Sequence, residues 1–318
     1  MRSLVTLVMA FVLSVGAHAQ SFPSHPVKIV VPFPPGGGAD VVLRVLQPRL
    51  SEYLGQPVII ENRAGAGGNV GTEAVARAPA DGYTLLVATA SQAINTTLSK
   101  NLSWDLTKDF VPVAFMVLNQ TVLAINPTVP ATNVKELIAL AKAKPGQLTY
   151  ASYGTGSSAH MNAELFQIMT GVQMLHVPYK GAAPAINDLI GGQVNLIFAD
   201  VAAILPYTSA GRVRPLGIGS TTKFNGLPDV PTVADSGVPG FETSGFLALV
   251  APAGTPRQAI DAVNAAMVKT LASPGMRERL EGLGTIPMNG TQEQLAQFLR
   301  KEIDKWARVI KTANIKAE

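Results

Sequence analysis

The stretch that decides the fold runs from Val27 to Asp40 and reads VKIVVPFPPGGGAD. A β-branched run, Val27 to Pro32, leads into a turn with three consecutive glycines, and a helical pattern begins at Asp40. A strand, a Gly-rich turn and a helix form the first half of a βα unit. In open α/β sheets, ligands bind beyond the carboxyl ends of the strands, so this turn is a candidate site.

The same unit recurs along the chain, which is typical of α/β folds with parallel strands. Further predicted strands are Val58 to Glu61, Thr84 to Ala88, Leu148 to Ala151, Leu175 to Val177, Val194 to Phe198 and Arg214 to Gly219. Predicted helices are Asp40 to Leu54, Asn69 to Arg77, Val134 to Lys144, Ser158 to Met169, Ala182 to Ile190 and Val201 to Ala210. The pattern predicts two doubly wound α/β lobes with a ligand cleft between them.

The alternation breaks twice, and each break is a candidate crossing between lobes. Two apolar runs without an intervening helix, Val113 to Val117 and Val122 to Ile125, carry the chain out of the first lobe. A Pro/Gly-rich stretch from Gly226 to Gly240, followed by Thr243 to Val250, brings it back. The predicted division is residues 20–120 with 224–318 for lobe 1, and residues 121–223 for lobe 2.

The C-terminal part has the pattern of core-packed helices. Apolar residues recur at helical spacing from Ile260 to Leu271, and Thr291 with Gln294 forms a capping box before a final helix. Trp306 lies on the apolar stripe of that last helix, so we expect it in the core.

Composition excludes several classes of function. The chain has 318 residues, enough for about two domains, with 47% hydrophobic and 14% charged residues and a net charge of +4. No Lys/Arg stripe is present, so a nucleic-acid partner is not expected. Zero cysteines excludes disulfides, thiolate metal sites and thiol nucleophiles. The histidines after residue 19 lack metal-ligand spacing, so no metal and no cofactor is predicted.

The N-terminus has the pattern of a signal peptide. Arg2 precedes an apolar run from Leu4 to Val15, and Ala17-His18-Ala19 matches an A-x-A cleavage site. The run is shorter than the roughly 18 residues that span a bilayer. We therefore predict cleavage after Ala19 and an extracytoplasmic mature protein.

In the first lobe, the candidate ligand residues lie in turns that follow strands. Successive glycines let backbone N–H groups approach an anion, and the Walker ending Gly-Lys-Ser/Thr is absent. Asp40 is either the cap of the following helix or a ligand contact. The candidates of this lobe are Phe33, Pro35, Gly36, Gly37, Gly38, Asp40 and Ser91.

In the second lobe, the turn from Ser152 to His160 follows a strand and opens a helix. It matches G-x-G-x-x-A, but the strand end about 20 residues on, His176 to Lys180, has no carboxylate to hold a ribose. A dinucleotide is therefore not predicted. Thr155, Gly156, Ser157 and Ser158 remain suited to hold a carboxylate at a helix start, and Gly154 is a further candidate site residue. Asp200, at another strand end, either caps a helix or accepts a ligand hydrogen bond.

Several motifs together resemble those of the extracytoplasmic receptors of tripartite tricarboxylate transporters, the Bug family. They are Phe22 to Gly37, Glu61 to Gly68, Ala80 to Leu85, Val177 to Gly181 and Asp229 to Thr232. The resemblance implies a periplasmic-binding-protein-like fold, no catalytic residues, a small organic carboxylate as ligand and a two-subunit membrane permease as partner. It also implies that the loops Phe33 to Asp40 and Gly154 to Ser158 grip the carboxylate. We expect the protein to be a monomer. On the second-lobe side, Tyr179, Gly181, Ala182 and Asp200 would line the pocket.

Two alternatives stay open from the residues alone. One is a secreted α/β hydrolase that uses Ser157 or Ser158 with His160, which predicts turnover of a substrate. The other is a sensor that binds a ligand in order to contact a signalling membrane protein.

Overall fold

In a computed structural model, the chain is described over residues 22–99 and 101–315, and these form two lobes, each built on one sheet. The predicted fold class of two α/β lobes is confirmed. The predicted signal peptide, residues 1–19, lies outside the described residues. Within the described ranges, none of the helices combines the length and apolarity needed to cross a membrane.

Strands and helices alternate along most of the chain. The strands are β1 (Val27–Val31), β2 (Val58–Asn62), β3 (Thr84–Thr89), β4 (Phe110–Asn119), β5 (Thr121–Ile125), β6 (Thr149–Ser152), β7 (Leu175–Pro178), β8 (Leu196–Asp200), β9 (Arg214–Ile218), β10 (Gly245–Pro252) and β11 (Thr285–Pro287). The helices are α1 (Gly38–Leu54), α2 (Asn69–Ala76), α3 (Ala90–Leu98), α4 (Val134–Ala143), α5 (Ser158–Thr170), α6 (Ala182–Ile190), α7 (Val201–Ser209), α8 (Arg257–Leu271), α9 (Met276–Glu281) and α10 (Gln292–Ala313).

The first lobe has a six-stranded sheet in the order β11-β4-β10-β3-β1-β2. Strands β2, β1 and β3 are parallel, whereas β10 runs antiparallel to both β3 and β4. Side chains of β1 alternate between the two faces, with Ile29 packed against α1, α8 and α9, and Val30 packed against α2, α3 and α10. Both faces of this sheet are therefore covered by helices.

The second lobe has a five-stranded sheet in the order β7-β6-β8-β5-β9. Strands β7, β6 and β8 are parallel, and β5 is antiparallel to its neighbours β8 and β9. Helices α4 and α5 cover one face around Phe166, and helices α6 and α7 cover the other around Ile186. This lobe repeats the layered arrangement of the first on a smaller scale.

The chain passes between the lobes twice, and the two passages are hydrogen-bonded to each other. The first is at Gln120, between β4 and β5. The second ends at Thr243, whose hydroxyl lies 2.9 Å from that of Thr121 and whose N–H donates to the carbonyl of Gly219. The N–H of Gly219 in turn donates to the carbonyl of Thr121. These contacts tie the two passages into one hinge.

The return to lobe 1 lies about twenty residues later than the sequence predicts, which moves the boundary from residue 224 to Thr243. Phe224 and Val230 are buried in the core beneath α6 and α7, and Val233 and Phe241 are buried in the core beneath α4 and α5. The Pro/Gly-rich stretch is therefore an irregular segment packed on lobe 2. The stretch resembles a connection between lobes in sequence because it is rich in proline and glycine and has neither the periodicity of a helix nor that of a strand.

At the C-terminus, the predicted helices are confirmed. Ile260, Val263 and Met267 of α8 are buried, and Trp306 of α10 is 1% exposed. The predicted capping box of Thr291 and Gln294 is present at the start of α10.

Candidate ligand-binding cleft

A cavity lies between the lobes, beyond the carboxyl ends of β1, β3 and β8. The empty space between the lobes here, counted together with the open mouth, is about 730 Å³. Its lining comes from both lobes: Phe33, Pro34, Pro35, Gly37, Gly38, Ala39, Thr89, Ala90, Ser91, Asn119, Tyr153, Ser157, Ser158, Lys180, Gly181, Ala182, Ala183, Pro184, Asp200, Gly245, Phe246 and Leu247. Among these described residues, Lys180 and Asp200 carry the charges.

Helix N-termini from both lobes face this cavity. The lining includes the first residues of α1, α3, α5 and α6, and the residue before α7. Helices α1, α6 and α7 have no side-chain cap at their N-termini. Their first-turn N–H groups and the positive ends of their dipoles therefore favour an anion in the cavity.

The Gly-rich turn of the first lobe is held in shape by Asp40 from outside the cavity. The Asp40 carboxylate accepts hydrogen bonds from the N–H of Gly36 at 2.9 Å, from Arg44 Nε at 2.9 Å and from Asn62 Nδ2 at 3.0 Å. Burial by itself raises the pKa of Asp40, but these hydrogen bonds outweigh burial and hold the pKa below its usual value. The helix cap is Gly37, so Asp40 braces the turn instead of capping the helix.

The facing turn of the second lobe begins α5. Ser157 is its N-cap and accepts a hydrogen bond from the backbone N–H of His160. The N–H of Gly156 donates to His160 Nδ1 at 3.1 Å, so this amide is already used. Gly154 and Thr155 line an adjoining opening of the cleft, opposite the turn from Ala64 to Asn69.

The predicted site residues thus fall into three groups. Those at the central cavity are Phe33, Pro35, Gly37, Gly38, Ser91, Ser157, Gly181, Ala182 and Asp200. Those at the adjoining opening are Gly154, Thr155 and Tyr179. Those that line neither space are Gly36, Asp40 and Gly156.

The imidazole of His160 packs against another histidine instead of a serine hydroxyl. The rings of His160 and His176 are stacked with centroids 4.0 Å apart, and Ser152 Oγ lies 2.6 Å from His176 Nε2. Burial lowers the pKa of His160 to about 3, with a further contribution from His176, and burial lowers the pKa of His176 to about 4. Nδ1 of His160 accepts from the Gly156 amide, and Nε2 lies 3.9 Å from Glu164 Oε1. The Ser157 hydroxyl accepts a hydrogen bond from the backbone N–H of His160, so the described contacts include no base–nucleophile pair.

Cavity residues that the sequence analysis missed include Asn119, Tyr153 and Gly245. Asn119 closes β4, opposite Gly245 at the start of β10. The Tyr153 hydroxyl accepts a hydrogen bond from the N–H of Asp200 at 3.3 Å. Burial raises the pKa of Asp200 to about 6. Asn119 is a polar residue at the end of an apolar run, and this is the one sequence feature that could have identified it as a candidate site residue.

The lobes touch across the cleft at glycines. A Cβ atom at Gly38 would lie 3.1 Å from Asp200 Oδ2, and one at Gly181 would lie 3.0 Å from Pro34 Cγ. A Cβ atom at Gly156 would lie 2.8 Å from Asn95 Oδ1. Positions without a side chain therefore allow the two lobes to approach each other closely across the cleft.

Comparison with known proteins places this cleft in a family. The sequence profile of the tripartite tricarboxylate transporter family receptors (TctC) matches residues 42–315. The chain belongs to this family. It is 37% identical to Protein BugT of Bordetella pertussis over 322 residues, which covers 99% of each chain.

Solved structures of similar proteins have the same two-lobe fold. Rhodopseudomonas palustris Rpa4515, described with adipate, superposes with a TM-score of 0.89 at 36% identity, covering 93% of this chain and 99% of that one. MatC from the same species, described with bound malate, superposes with a TM-score of 0.86 at 32% identity, covering 91% and 100%. The two lobes are of the periplasmic-binding-protein type, and the family is one of receptors, so the hydrolase alternative is wrong.

Proposed function

We propose that the protein is a periplasmic receptor that binds a small organic carboxylate and delivers it to a tripartite tricarboxylate-type membrane permease. The observation that carries this proposal is the set of helix N-termini from both lobes around one cavity, three of them without a side-chain cap. Oriented N–H groups bind a carboxylate without a matching number of positive side chains.

Family membership also supports a receptor for an organic carboxylate. The receptors described with adipate and with malate share this fold over nearly their whole length. The Phe33, Pro34 and Pro35 wall gives the cavity an apolar side, which suits the hydrocarbon part of an organic acid. Export through a cleaved signal peptide, which the N-terminal pattern predicts, and a monomeric state are further parts of the proposal. The permease partner follows from the resemblance.

A thermal-shift screen of the purified protein tests the binding step. The probes are adipate, malate, citrate, benzoate and L-glutamate at millimolar concentration. A ligand at about 100 times its Kd stabilises the folded state by roughly 2.7 kcal/mol. Recovery of the ligand unchanged supports a receptor, whereas absence of any shift across the carboxylates counts against the proposal.

A matched pair of variants separates cleft binding from general effects. Gly38→Leu places a side chain in the cavity at a residue whose φ is ordinary. Gly191→Leu adds the same side chain at an exposed residue with φ −75° at the far end of α6. We expect the first variant to lose the ligand-induced shift and the second to keep it. In the host bacterium, deletion of the gene should abolish uptake of the same ligand.

A further inference from the structure

The two lobes meet again beside the central cavity, at the adjoining opening of the cleft. One turn from each lobe takes part, residues 65–69 between β2 and α2 and residues 154–157 between β6 and α5. A Cβ atom at Gly67 would lie 3.3 Å from the carbonyl oxygen of Thr155, so the two turns lie against each other. Neither turn contains a charged side chain. The contact therefore depends on the shapes of the two backbones.

The first-lobe turn has an unfavourable backbone that Asn95 holds from behind. Three consecutive residues have positive φ, namely 46° at Ala66, 64° at Gly67 and 98° at Gly68. Positive φ costs free energy at a residue with a side chain, as at Ala66, and persists only where the surroundings impose it. Asn95, which is 2% exposed, donates from Nδ2 to Asn69 Oδ1 at 2.9 Å and to the carbonyl of Gly67 at 3.3 Å.

The second-lobe turn is held in a similar way by His160. The N–H of Gly156 donates to His160 Nδ1 at 3.1 Å, and this imidazole, 5% exposed, is stacked on His176. A Cβ atom at Gly156 would lie 2.8 Å from Asn95 Oδ1. The residue that His160 holds therefore lies against the residue that holds the opposite turn.

This contact does not pass through the central cavity. Within the described chain, the lining of that cavity includes neither Asn95 nor His160. A contact of this kind favours the joined arrangement of the lobes whether or not a ligand is bound. A protein whose binding-competent arrangement is more populated binds every ligand more tightly by the same factor.

We propose that residues 65–69 and 154–157 form a latch that holds the lobes together, with Asn95 and His160 as its positioning residues. The latch sets the ligand affinity through the population of the joined arrangement, without a contact to the ligand. This inference rests on the proposed receptor function, because it deals with the part of the affinity that comes from closure of the lobes.

A matched pair of glycine variants tests the latch. Gly67 and Gly171 have nearly the same backbone conformation, with φ 64° and ψ 22° against φ 68° and ψ 20°. Asparagine tolerates this conformation. At Gly67 its side chain would press on Thr155 of the other lobe, whereas nothing lies within 4 Å of a Cβ atom at Gly171. Gly67→Asn should therefore part the two turns, and Gly171→Asn should leave them in contact.

Distances between spin labels report the arrangement of the lobes without a ligand. The chain has no cysteine, so Arg77→Cys and Gln193→Cys place one label in each lobe, both at exposed positions. The wild-type background should show a population at the label separation of this structure. Gly67→Asn should reduce that population severalfold, and Gly171→Asn should not.

Variants of the positioning residues test their role in affinity. His160→Leu removes the acceptor for the Gly156 amide, whereas His160→Asn keeps an acceptor oxygen close to the position of Nδ1. His160→Leu should reduce the latched population and lower the affinity for each carboxylate that binds by a common factor of about five or more. His160→Asn should restore part of both, and Asn95→Ala should lower both from the first lobe. The melting temperature of each variant verifies that it is folded.

The outcomes separate this inference from the proposed function. If the unliganded wild type lacks the label separation of this structure, or if Gly67→Asn and Gly171→Asn give equal distance distributions, the latch is overturned and the carboxylate receptor stands. An affinity loss in His160→Leu with unchanged distances also overturns the positioning role of His160. If none of adipate, malate, citrate, benzoate and L-glutamate binds, the receptor proposal fails, and the distances still decide whether the latch exists.

Discussion

Gly38, the first residue of α1, lies directly against the Asp200 carboxylate of the opposite lobe, and a Cβ atom at Gly38 would lie 3.1 Å from Asp200 Oδ2. A side chain at residue 38 would press on the Asp200 carboxylate, which would have to shift by a few tenths of an ångström. The φ of Gly38 is ordinary, so alanine there raises helix propensity by about 1 kcal/mol.

Gly38→Ala should therefore separate folding from binding. We expect the melting temperature of the unliganded protein to stay the same or rise, and the affinity for the native ligand to fall about tenfold or more as closure is obstructed. Gly191→Ala is the comparison, because Gly191 is exposed outside the cleft and its Cβ would meet its nearest atom, Asn187 O, at 3.4 Å. An equal loss of affinity in both variants would argue against a specific Gly38–Asp200 contact.

The sequence predicted the architecture because burial in α/β lobes is periodic. The alternation of side chains between the two faces of β1 and the apolar stripe of α8 each indicate which residues are buried on which face. Helix α3 was missed although Ala90, Ala93, Ile94 and Leu98 recur at helical spacing. It is only nine residues long and begins at the residue after β3, so no turn separates the strand from the helix.

The candidate site was only partly predictable, for geometric reasons. Residues two apart on a helix point about 200° apart, so Gly38 faces the cavity while Asp40 faces the brace formed by Arg44 and Asn62. Asn119 and Gly245 become neighbours only through the pairing of β4 with β10. That pairing depends on where the chain crosses between lobes, which no local pattern encodes.

Replacement of Asp40 should lower the stability of the fold more than it lowers the affinity for the ligand. Asp40→Ala removes the acceptor for Gly36, Arg44 and Asn62, and we expect a loss of about 1–3 kcal/mol in the free energy of unfolding. Chemical denaturation measures this loss. Arg44→Ala, which removes one of the donors from outside the cavity, should lower stability less and affinity only slightly. A ligand affinity abolished in Asp40→Ala with stability unchanged would contradict the bracing role.

The stacked histidines should make the protein sensitive to acid. The pKa values of His160 and His176 are lowered to about 3 and about 4 in the folded state, against about 6.5 in an unfolded chain. The unfolded state therefore binds more protons between these values, and stability is lost as the pH falls below about 6.5. The slope is limited to about 2.7 kcal/mol per pH unit for two protons.

Denaturation at pH 7 and pH 5 measures that slope. The double variant His160→Gln/His176→Gln should flatten it, whereas His25→Gln, at an exposed position away from the pair, should not. A wild-type stability that does not change between pH 7 and pH 5 would show that the pair is not buried in solution.

Gly219 should be intolerant of any side chain, because it lies inside the hinge. A Cβ atom there would collide with the hydroxyls of both Thr121 and Thr243, and its backbone links the two passages. Gly219→Ala should lower the free energy of unfolding by about 2 kcal/mol or more. The control is Gly191→Ala, whose Cβ would meet its nearest atom at 3.4 Å. Equal melting temperatures for the two variants would mean that the hinge can rearrange.

Asp200 should couple ligand binding to proton exchange, with a sign that depends on the ligand. Burial raises the pKa of Asp200 to about 6 in the closed protein. A ligand ammonium favours the carboxylate, so binding of an amino acid at pH 6 should release protons and strengthen as the pH rises through 6. A dicarboxylate such as glutarate favours the neutral acid, so its binding should take up protons and weaken over the same range.

Calorimetry at pH 6 in two buffers with different ionisation enthalpies measures the number of protons exchanged. His160 and His176 do not obscure the result, because their pKa values of about 3 and about 4 keep them neutral at this pH. Asp200→Asn removes the titrating group and should reduce the exchange to near zero for the amino acid. For the dicarboxylate it should leave only the protons that the ligand itself releases on binding as the dianion. Proton exchange of wild-type size in that variant would place the titrating group elsewhere.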